Sequence, residues 1–201
     1  MCNALNALAA LATIAPREVP RATDRLCQFL RASFDQPERV LVPLEEELAV
    51  VRAYLEIESL RFGDRLEVEQ TIDPGLLMVL MPPFSFQPLV ENAVQHGLAS
   101  SPQAGRLRLV VRAIGPWLEL SASDDGQGVP STEIEQRFFS ERAKVHALVV
   151  LRRRLQSLFG RSFQLEVNSE IGEGTTVTMR IPVVLNRFEH SVGVRTGMGI
   201  L

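Results

Sequence analysis

The sequence predicts an α+β protein, in which a helical segment is followed by an α/β sandwich with helices on one face of a mixed sheet. Two observations lead to this prediction. Apolar residues recur at helical spacing through residues 3–62, and from residue 64 the pattern changes to the order strand, helix, two strands, loop, helix, two strands. The 201 residues are 46% hydrophobic and 22% charged, which is typical of a globular protein with space for one domain and a smaller module.

The helical segment is predicted from three apolar stripes. Pro16 and Pro20 interrupt its first part, because proline lacks the N–H that a helix needs and clashes with the preceding turn. The strongest helix begins at Pro43 and places three glutamates at its positive end. Its apolar stripe is wide enough to need partners on more than one side, as in a helical bundle. The stripe residues are Leu5, Leu8 and Leu11, then Leu26, Phe29, Leu30 and Phe34, and finally Leu44, Leu48, Val51, Leu55 and Phe62.

The strands of the sandwich are predicted from period-2 alternation and from the turns between them. Asp73-Pro74-Gly75 ends the first strand, Gly115-Pro116 joins the middle pair, and Gly172-Glu173-Gly174 joins the last pair. The predicted strands cover residues 65–72, 106–114, 117–123, 163–167 and 175–181, and the predicted helices cover residues 82–97 and 145–159. Residues 124–144 are predicted to form a long polar loop, and residues 186–201 a loose tail.

Charge and cysteine usage argue against several classes of protein. The net charge is −3, and a dedicated nucleic-acid-binding protein usually carries a basic patch or stripe. Cys2 and Cys27 have no metal-ligand spacing, which fits a reducing, cytoplasmic compartment. No apolar run reaches the ~18 residues that span a bilayer. We therefore expect any membrane attachment to come from an N-terminal sensor region outside this chain.

The first candidate functional motif is Gln87-Pro-Leu-Val-Glu-Asn-Ala-Val-Gln-His-Gly97, on a predicted helix. Asn92 and His96 stand four residues apart and so share a face, with Glu91 beside them. Polar groups on an otherwise apolar helix need partners, and a bound ligand is one explanation. A solvated face that ends in a histidine cap is the other explanation, and this motif alone does not decide between them.

Two glycine motifs follow along the chain. Asp124-Asp125-Gly126-Gln127-Gly128 comes directly after a strand, where a carboxylate can accept a hydrogen bond from a purine amine while glycine backbone approaches the ligand closely. Gly172-Glu-Gly-Thr-Thr176 precedes the last strand. Taken singly, the first motif is also typical of an Asx turn and the second of a simple hairpin turn.

The order and spacing of the three motifs resemble the GHKL ATPases, which include DNA gyrase, the heat-shock chaperone ATPases, the histidine kinases and MutL. Longer phrases resemble the LytS-type sensor histidine kinases over about residues 3–184, nearly the whole chain. These phrases are Leu44-Glu-Glu-Glu-Leu48, Tyr54-Leu-Glu-Ile-Glu58, Arg61-Phe-Gly-Asp-Arg-Leu66, and Pro82-Pro83 with Gln87-Pro-Leu-Val-Glu-Asn-Ala93. The resemblance implies the GHKL (Bergerat) fold for the sandwich.

The resemblance also implies ATP and Mg²⁺ as cofactors and assigns roles to single residues. Asn92 matches the asparagine that holds the Mg²⁺ bridging the nucleotide phosphates, and Asp124 matches the aspartate that recognises the adenine amino group. Glu91 and His96 are the catalytic candidates. The other candidates for nucleotide contact are Gly126, Gly128, Gly172 and Gly174, with Thr176 on the adenine side and Arg152 at the phosphates. A solvated arginine run over residues 152–154 is the alternative for Arg152.

The chain departs from the family pattern at three places. The phosphoacceptor histidine belongs to a Pro-His-Phe-Leu-Phe-Asn phrase whose last residue aligns with Asn3, so this chain begins after it and is not expected to autophosphorylate by the family route. In the lid, Val145 and Ala147 replace two glycines that leave space for the triphosphate. Asp125 replaces an asparagine and Gln95 a frequent basic residue, and both changes disfavour an anionic ligand.

Two functions remain open at this point. One is the cytoplasmic kinase portion of a two-component sensor histidine kinase, which binds ATP–Mg²⁺, phosphorylates a histidine and signals to a response regulator. The other is a degenerate module that dimerises and docks a response regulator without productive ATP binding.

The expected organisation follows from the same resemblance. Residues 1–63 are expected to be dimerisation and phosphoacceptor helices, residues 64–185 the ATP-binding domain, and residues 186–201 a tail. The expected partners are a second copy of the chain and a response regulator of the LytTR type, with no nucleic acid. The expected location is the cytoplasmic side of an inner-membrane protein.

Overall fold

The computed structural model describes residues 12–13, 16–20, 23, 39–98, 104–140 and 146–185. The apolar stripes predicted before residue 39 and the predicted tail lie outside these residues. In the described part the helices are α1 (Leu44–Phe62), α2 (Gln87–Asn92) and α3 (His146–Phe159), and the strands are β1 (Val42–Pro43), β2 (Leu66–Ile72), β3 (Val79–Met81), β4 (Gly105–Ile114), β5 (Trp117–Asp124), β6 (Gln164–Glu170), β7 (Gly174–Pro182) and β8 (Val184–Leu185).

A five-stranded sheet in the order β2-β4-β5-β7-β6 forms the centre of the fold. β2 and β4 are parallel, and all other neighbours are antiparallel. A parallel pair needs a crossover connection, and α2 lies on the chain between β2 and β4. The sheet is therefore mixed, as the order of elements predicts.

One face of this sheet is apolar and is covered by helices. Strict alternation places every second residue of each strand on this face. α2 packs between the sheet and the other two helices, and the three helices bury one side each in a common core. The core side chains include Leu48, Val51 and Leu55 of α1, Leu89 and Val90 of α2, Leu148, Leu151 and Leu155 of α3, and Leu109, Leu120, Val177 and Met179 of the sheet.

The opposite face of the sheet is polar and carries a cross-strand charge network. Glu119 of β5 is buried and pairs with Arg180 of β7 at 2.6 Å and with Arg112 of β4 at 2.7 Å. Burial acts to raise the pKa of Glu119, but the hydrogen bonds from Arg180 and Arg112 together hold this pKa below its ordinary value. The two ion pairs of Glu119 join β5 to β4 and to β7, and they stabilise the register of these three strands.

A second, three-stranded sheet in the order β1-β3-β8 was not predicted. Its strands have two or three residues each, which is too short for a period to be recognised in the sequence. Pro43 pairs with Leu80 on one side of β3, and Val184 pairs with the same Leu80 on the other side.

The predicted fold class, α+β with helices on one face of a mixed sheet, is confirmed. α2 begins five residues later than predicted, because Phe84 takes a left-handed conformation with φ of 56° and a helix cannot pass through it. α2 then continues directly into a wider π-helical turn over Ala93–Leu98. Within the described residues, no helix has both the length and the apolar character needed to cross a membrane.

Candidate functional site

Asp124 is the last residue of β5 and lies on the helix-covered face of the sheet. Its side chain is 6% exposed, and one carboxylate oxygen, Oδ1, accepts a hydrogen bond from the N–H of Gly126 at 3.0 Å. The second oxygen, Oδ2, is buried and has no partner among the described residues. Burial raises the pKa of Asp124 to about 6, against the opposing effect of the N–H groups of Gly126 and Thr175. Asp124 Oδ2 is therefore a buried hydrogen-bond acceptor for which the described residues supply no donor.

Three glycines surround Asp124 so closely that no side chain fits at any of them. A Cβ at Gly97 would lie 2.1 Å from the carboxylate carbon of Asp124, and one at Gly126 would lie 2.3 Å from the carbonyl oxygen of Gly97. A Cβ at Gly174, which has φ of +90°, would lie 2.0 Å from the carbonyl oxygen of Asp124. The end of the α2 run, the loop after β5 and the start of β7 thus meet at one point through bare backbone.

The loop after β5 is fixed to the hairpin between β6 and β7. Ser169 Oγ accepts from the N–H of Val129 at 2.8 Å and donates to the carbonyl of Gly174 at 3.0 Å. The N–H of Gly172 donates to the carbonyl of Gln127 at 2.8 Å. Gly128 has φ of +63°, and a Cβ there would lie 1.9 Å from the carbonyl oxygen of Glu170. These contacts keep the two glycine motifs together without any ligand.

Asn92 is the last residue of α2, five residues before Gly97, and the π-helical turn over Ala93–Leu98 lies between them. It is 3% exposed, and its Oδ1 is buried without a partner among the described residues. An amide oxygen is an acceptable ligand for a hard cation, and Mg²⁺ needs few protein ligands because it keeps water and phosphate oxygens. Asn92 Oδ1 and Asp124 Oδ2 are therefore two buried acceptors without a partner among the described residues, and acceptors of these types suit a cation and an amine respectively.

The two catalytic candidates beside Asn92 differ in what the structure says of them. Glu91 is buried, accepts from Gln87 Nε2 at 2.6 Å, and its charge adds to burial in raising the pKa of Tyr54 and of Glu58. The negative charge of Glu91 therefore influences the ionisation of two residues of α1, Tyr54 and Glu58. His96 lies in the π-helical turn, and its side chain is outside the described residues. Catalytic roles for both remain predictions.

Thr175 and Thr176 lie on opposite faces of the sheet. In the β5–β7 register Thr175 is opposite Asp124, whereas Thr176 is opposite Ser123 and donates to Ser123 Oγ at 2.9 Å, on the other face of the sheet. Thr175 is buried, and its Oγ1 lies 2.8 Å from Ser169 Oγ. Thr175 is therefore the threonine on the face that carries Asp124, and the adenine contact predicted for Thr176 remains a prediction. The alternation of Val177, Met179 and Ile181 is the sequence signal that places Thr175 on this face.

Arg152 and Arg154 both have partners within the protein. Arg152 is half exposed, stacks on the ring of Phe139 at 4.9 Å and lies 3.6 Å from Glu135. Arg154 donates to the carbonyl of Pro83, just before α2. Neither contact brings its guanidinium to Asp124. Phosphate contact by Arg152 remains a prediction, and the neighbouring lid residue Val145 lies outside the described residues.

Two contacts near the site were not found by sequence reasoning. Asp125 was expected from the sequence to disfavour phosphate. In the structure it accepts from the N–H of Arg106 at 2.7 Å and so fixes the start of β4. Glu47, taken as one of three glutamates at a helix start, is buried and accepts three N–H groups from the segment before α2. Both contacts join residues that are far apart in the chain, and no local sequence signal reports them.

Comparison with known families agrees with this geometry. Residues 1–66 match the family model described as histidine kinase, and residues 85–185 match the model described as histidine kinase-, DNA gyrase B-, and HSP90-like ATPase. The chain belongs to this ATPase family. Its Asp124, its glycine cradle and its Asn92 all lie within the matched range.

The curated relatives of this ATPase-family chain include LytS sensor proteins. The Staphylococcus epidermidis LytS is 32% identical over 192 residues, covering 94% of this chain and 32% of the relative. The Bacillus subtilis LytS is 29% identical over 200 residues, covering 96% of the chain and 34% of the relative. The chain thus spans about a third of the length of the relatives it matches. The resemblance to LytS-type sensor kinases is confirmed.

Solved structures share the fold. A histidine kinase domain from the Erythrobacter litoralis EL346 blue-light activated histidine kinase aligns with a TM-score of 0.55 at 20% identity, covering 87% of this chain and 80% of that chain. Full-length ShkA, whose structure was solved in complex with AMPPNP, aligns with a TM-score of 0.56 at 20% identity, covering 83% of this chain and 36% of that chain. At this identity the likeness establishes the fold and not the ligand.

Proposed function

We propose that this chain is the dimerising and ATP–Mg²⁺-binding portion of a two-component sensor histidine kinase. The observation that carries the proposal is a pair of buried acceptor oxygens without a partner among the described residues, one on Asp124 inside a glycine cradle and one on Asn92, five residues before Gly97 of that cradle. A buried polar group without a partner costs free energy. A ligand that brings an amine to Asp124 and a cation to Asn92 removes both costs at once.

The residues of the chain act in this proposal by holding and orienting the nucleotide. Asp124 accepts a hydrogen bond from the adenine amino group, which fixes the purine on the glycine cradle. Asn92 holds the Mg²⁺ side of the triphosphate, and the bound ion neutralises phosphate charge. Catalysis of phosphoryl transfer rests mainly on such positioning and charge stabilisation. In the full-length protein the γ-phosphoryl group would pass from ATP to the phosphoacceptor histidine, which this chain does not contain, with ADP as the leaving group, and later to an aspartate of a response regulator.

The partners and location form part of the same proposal. A second copy of the chain supplies the facing dimerisation helices, in line with the histidine kinase match over residues 1–66. A response regulator of the LytTR type receives the phosphoryl group. An N-terminal sensor region, outside this chain, attaches the protein to the inner membrane and leaves this portion in the cytoplasm.

A second candidate function is a module that dimerises and docks the regulator without productive ATP binding. Val145 and Ala147 stand in place of the lid glycines, and Arg152 and Arg154 are engaged with Phe139 and Pro83 rather than free for phosphate. This candidate predicts that adenosine binds and that the triphosphate adds nothing to its affinity.

Titration calorimetry with adenosine, ATP and ATP–Mg²⁺ separates the two candidates. We expect ATP–Mg²⁺ to bind more tightly than adenosine, and Asp124→Ala to weaken all three ligands by about ten- to a hundred-fold, because a hydrogen bond to a charged group is worth about 1.5–3 kcal/mol. Asn92→Ala should remove only the gain from Mg²⁺.

Two adjacent threonines provide a matched control. Thr175→Val changes the face that carries Asp124, whereas Thr176→Val changes the opposite face. We expect weaker adenosine binding only in the first variant. Equal affinities for wild type and Asp124→Ala would rule out the proposed pocket.

A further inference from the structure

Glu47 of α1 contacts the segment that leads into α2. It is 1% exposed. Its Oε2 accepts from the N–H of Phe84 at 2.6 Å, and its Oε1 accepts from the N–H of Phe86 at 2.8 Å and of Gln87 at 3.4 Å. The first N–H groups of a helix have no partner within the helix, and Phe86 at the N-cap makes no side-chain cap. The carboxylate of a residue about forty positions earlier therefore caps α2.

The backbone around this cap is held in an unusual conformation. Phe84 has φ of 56°, and it is the one non-glycine residue with positive φ in the part of the chain that the structure describes. Such a conformation costs free energy and persists only where the surroundings enforce it. Here it directs the N–H of Phe84 at Glu47, and this short hydrogen bond offsets part of the strain.

Arg154 of α3 holds the same segment from the other side. Its guanidinium donates to the carbonyl of Pro83. Burial lowers the pKa of Arg154, and the negative charge of Glu47 opposes this effect, which places the two side chains in each other's field. The segment before α2 is thus held between α1 and α3 by a buried carboxylate and a half-buried guanidinium.

The position of α2 in turn sets the position of the candidate metal ligand. The N–H of Gln87 donates to Glu47, Asn92 lies five residues further along, and the π-helical turn that follows approaches Asp124 at Gly97. Asp124, in contrast, is placed by β5 and by its own loop, which Ser169 fixes to the next hairpin. A shift at the start of α2 therefore moves Asn92 relative to Asp124.

We propose that Glu47 is a positioning residue for nucleotide binding: it sets the depth and rotation of α2, and through them the distance between Asn92 and Asp124. Glu47 lies in the first turn of α1, within the range that matches the histidine kinase model. A displacement of α1 along its axis is then transmitted to the metal side of the site. The ligand part of this inference rests on the proposed function.

The test compares Glu47→Gln with Glu46→Gln. Glu46 is the adjacent residue, and it is exposed with a surface ion pair to Arg39, so its variant is a matched control for charge and helix position. Glu47→Gln keeps the size of the side chain but replaces one acceptor oxygen with a donor. We expect hydrogen exchange of the amides of residues 84–92 to become at least about tenfold faster in Glu47→Gln only. We also expect ATP–Mg²⁺ to bind about tenfold more weakly while adenosine binding changes by less than about twofold.

The outcomes distinguish this inference from the proposed function. Unchanged exchange over residues 84–92 refutes it, and so does an equal loss of adenosine and ATP–Mg²⁺, which indicates a general structural role. A wild-type protein that binds neither ligand rejects the proposed function together with the ligand part of the inference, and the exchange rates then decide only whether Glu47 fixes the start of α2. If Glu47→Gln does not fold, Arg154→Lys carries the same comparison from the α3 side, with the exposed Arg161→Lys as its control.

Discussion

Replacing Asp124 with asparagine is expected to stabilise the protein while removing nucleotide binding. The ordinary pKa of 3.8 rises to about 6 in the fold because the carboxylate is buried. At about 1.4 kcal/mol per unit, keeping Asp124 ionised at neutral pH costs the folded state about 3 kcal/mol. Because the folded-state pKa is raised, the stabilising contribution of the proton is complete below pH 4 and is lost as the pH rises through 6. Asparagine is neutral throughout and avoids this loss.

Urea unfolding, followed through the single tryptophan Trp117, measures the effect. Asp124→Asn should exceed the wild type by up to about 3 kcal/mol at pH 7.5, and this difference should vanish near pH 4. Asp125→Asn is the neighbouring control: it removes the charge from the hydrogen bond to Arg106 and should destabilise slightly. If Asp124→Asn is less stable than the wild type at pH 7.5, the carboxylate is not a costly group that awaits a ligand.

The same reasoning gives a pH dependence for binding. Adenosine needs the ionised carboxylate as acceptor, so its affinity for the wild type should fall by about tenfold per pH unit below 6. Calorimetry at several pH values checks this slope. A flat profile between pH 5 and 7 would mean that Asp124 does not contact the ligand.

Three further changes test the surroundings of the site. Gly174→Ala and Gly172→Ala both place a side chain at positive φ, at a cost of about 1–2 kcal/mol, but only Gly174→Ala meets backbone, at 2.0 Å from the carbonyl oxygen of Asp124. We expect Gly174→Ala to lose far more stability than Gly172→Ala and to lose all adenosine binding. Equal losses of stability in the two variants would contradict the close packing at Gly174. Ser169→Ala should cost about 1–3 kcal/mol, because it leaves buried groups unpaired, and should speed hydrogen exchange over residues 126–129; unchanged exchange would show that the serine does not fix the loop. Glu119→Gln should cost about 1–3 kcal/mol of stability at pH 7, and this loss should shrink as the pH falls through the lowered pKa of Glu119. Adenosine binding should be unchanged, because Glu119 lies on the face of the sheet opposite Asp124. Weaker binding would show coupling through the sheet.

Much of the fold could be predicted because its signals are local. Alternation along residues 106–114 and 117–123 and the turn at Gly115-Pro116 determine the two central strands, and β4 and β5 follow them closely. The position of Asp124 at a strand end, with glycines after it, was also predictable from local alternation, but the backbone that packs against those glycines was not. Close backbone packing then requires those glycines.

The remaining features depend on contacts between residues far apart in the chain, or on which of two alternating faces a strand residue occupies. Glu47 reads as one of three glutamates that favour a helix start, and only the fold reveals that it turns inward to cap another helix. Thr175 and Thr176 are chemically alike, and a shift of one residue reverses the face of a strand. Arg152 and Arg154 stand in one basic run, and only tertiary packing shows which of them contacts the segment before α2.

The small sheet of β1, β3 and β8 has a consequence for how the domain is connected to other parts. Pro43 and Val184 flank Leu80 from opposite sides, so these two residues are two strand spacings apart, about 9.5 Å. β1 and β8 are both antiparallel to β3 and therefore run in the same direction, so a segment before residue 42 and a segment after residue 185 leave from opposite ends of this small sheet. A linker that joins the two must run past β3, and a pull applied between the two attachment points would shear β1 and β8 against β3.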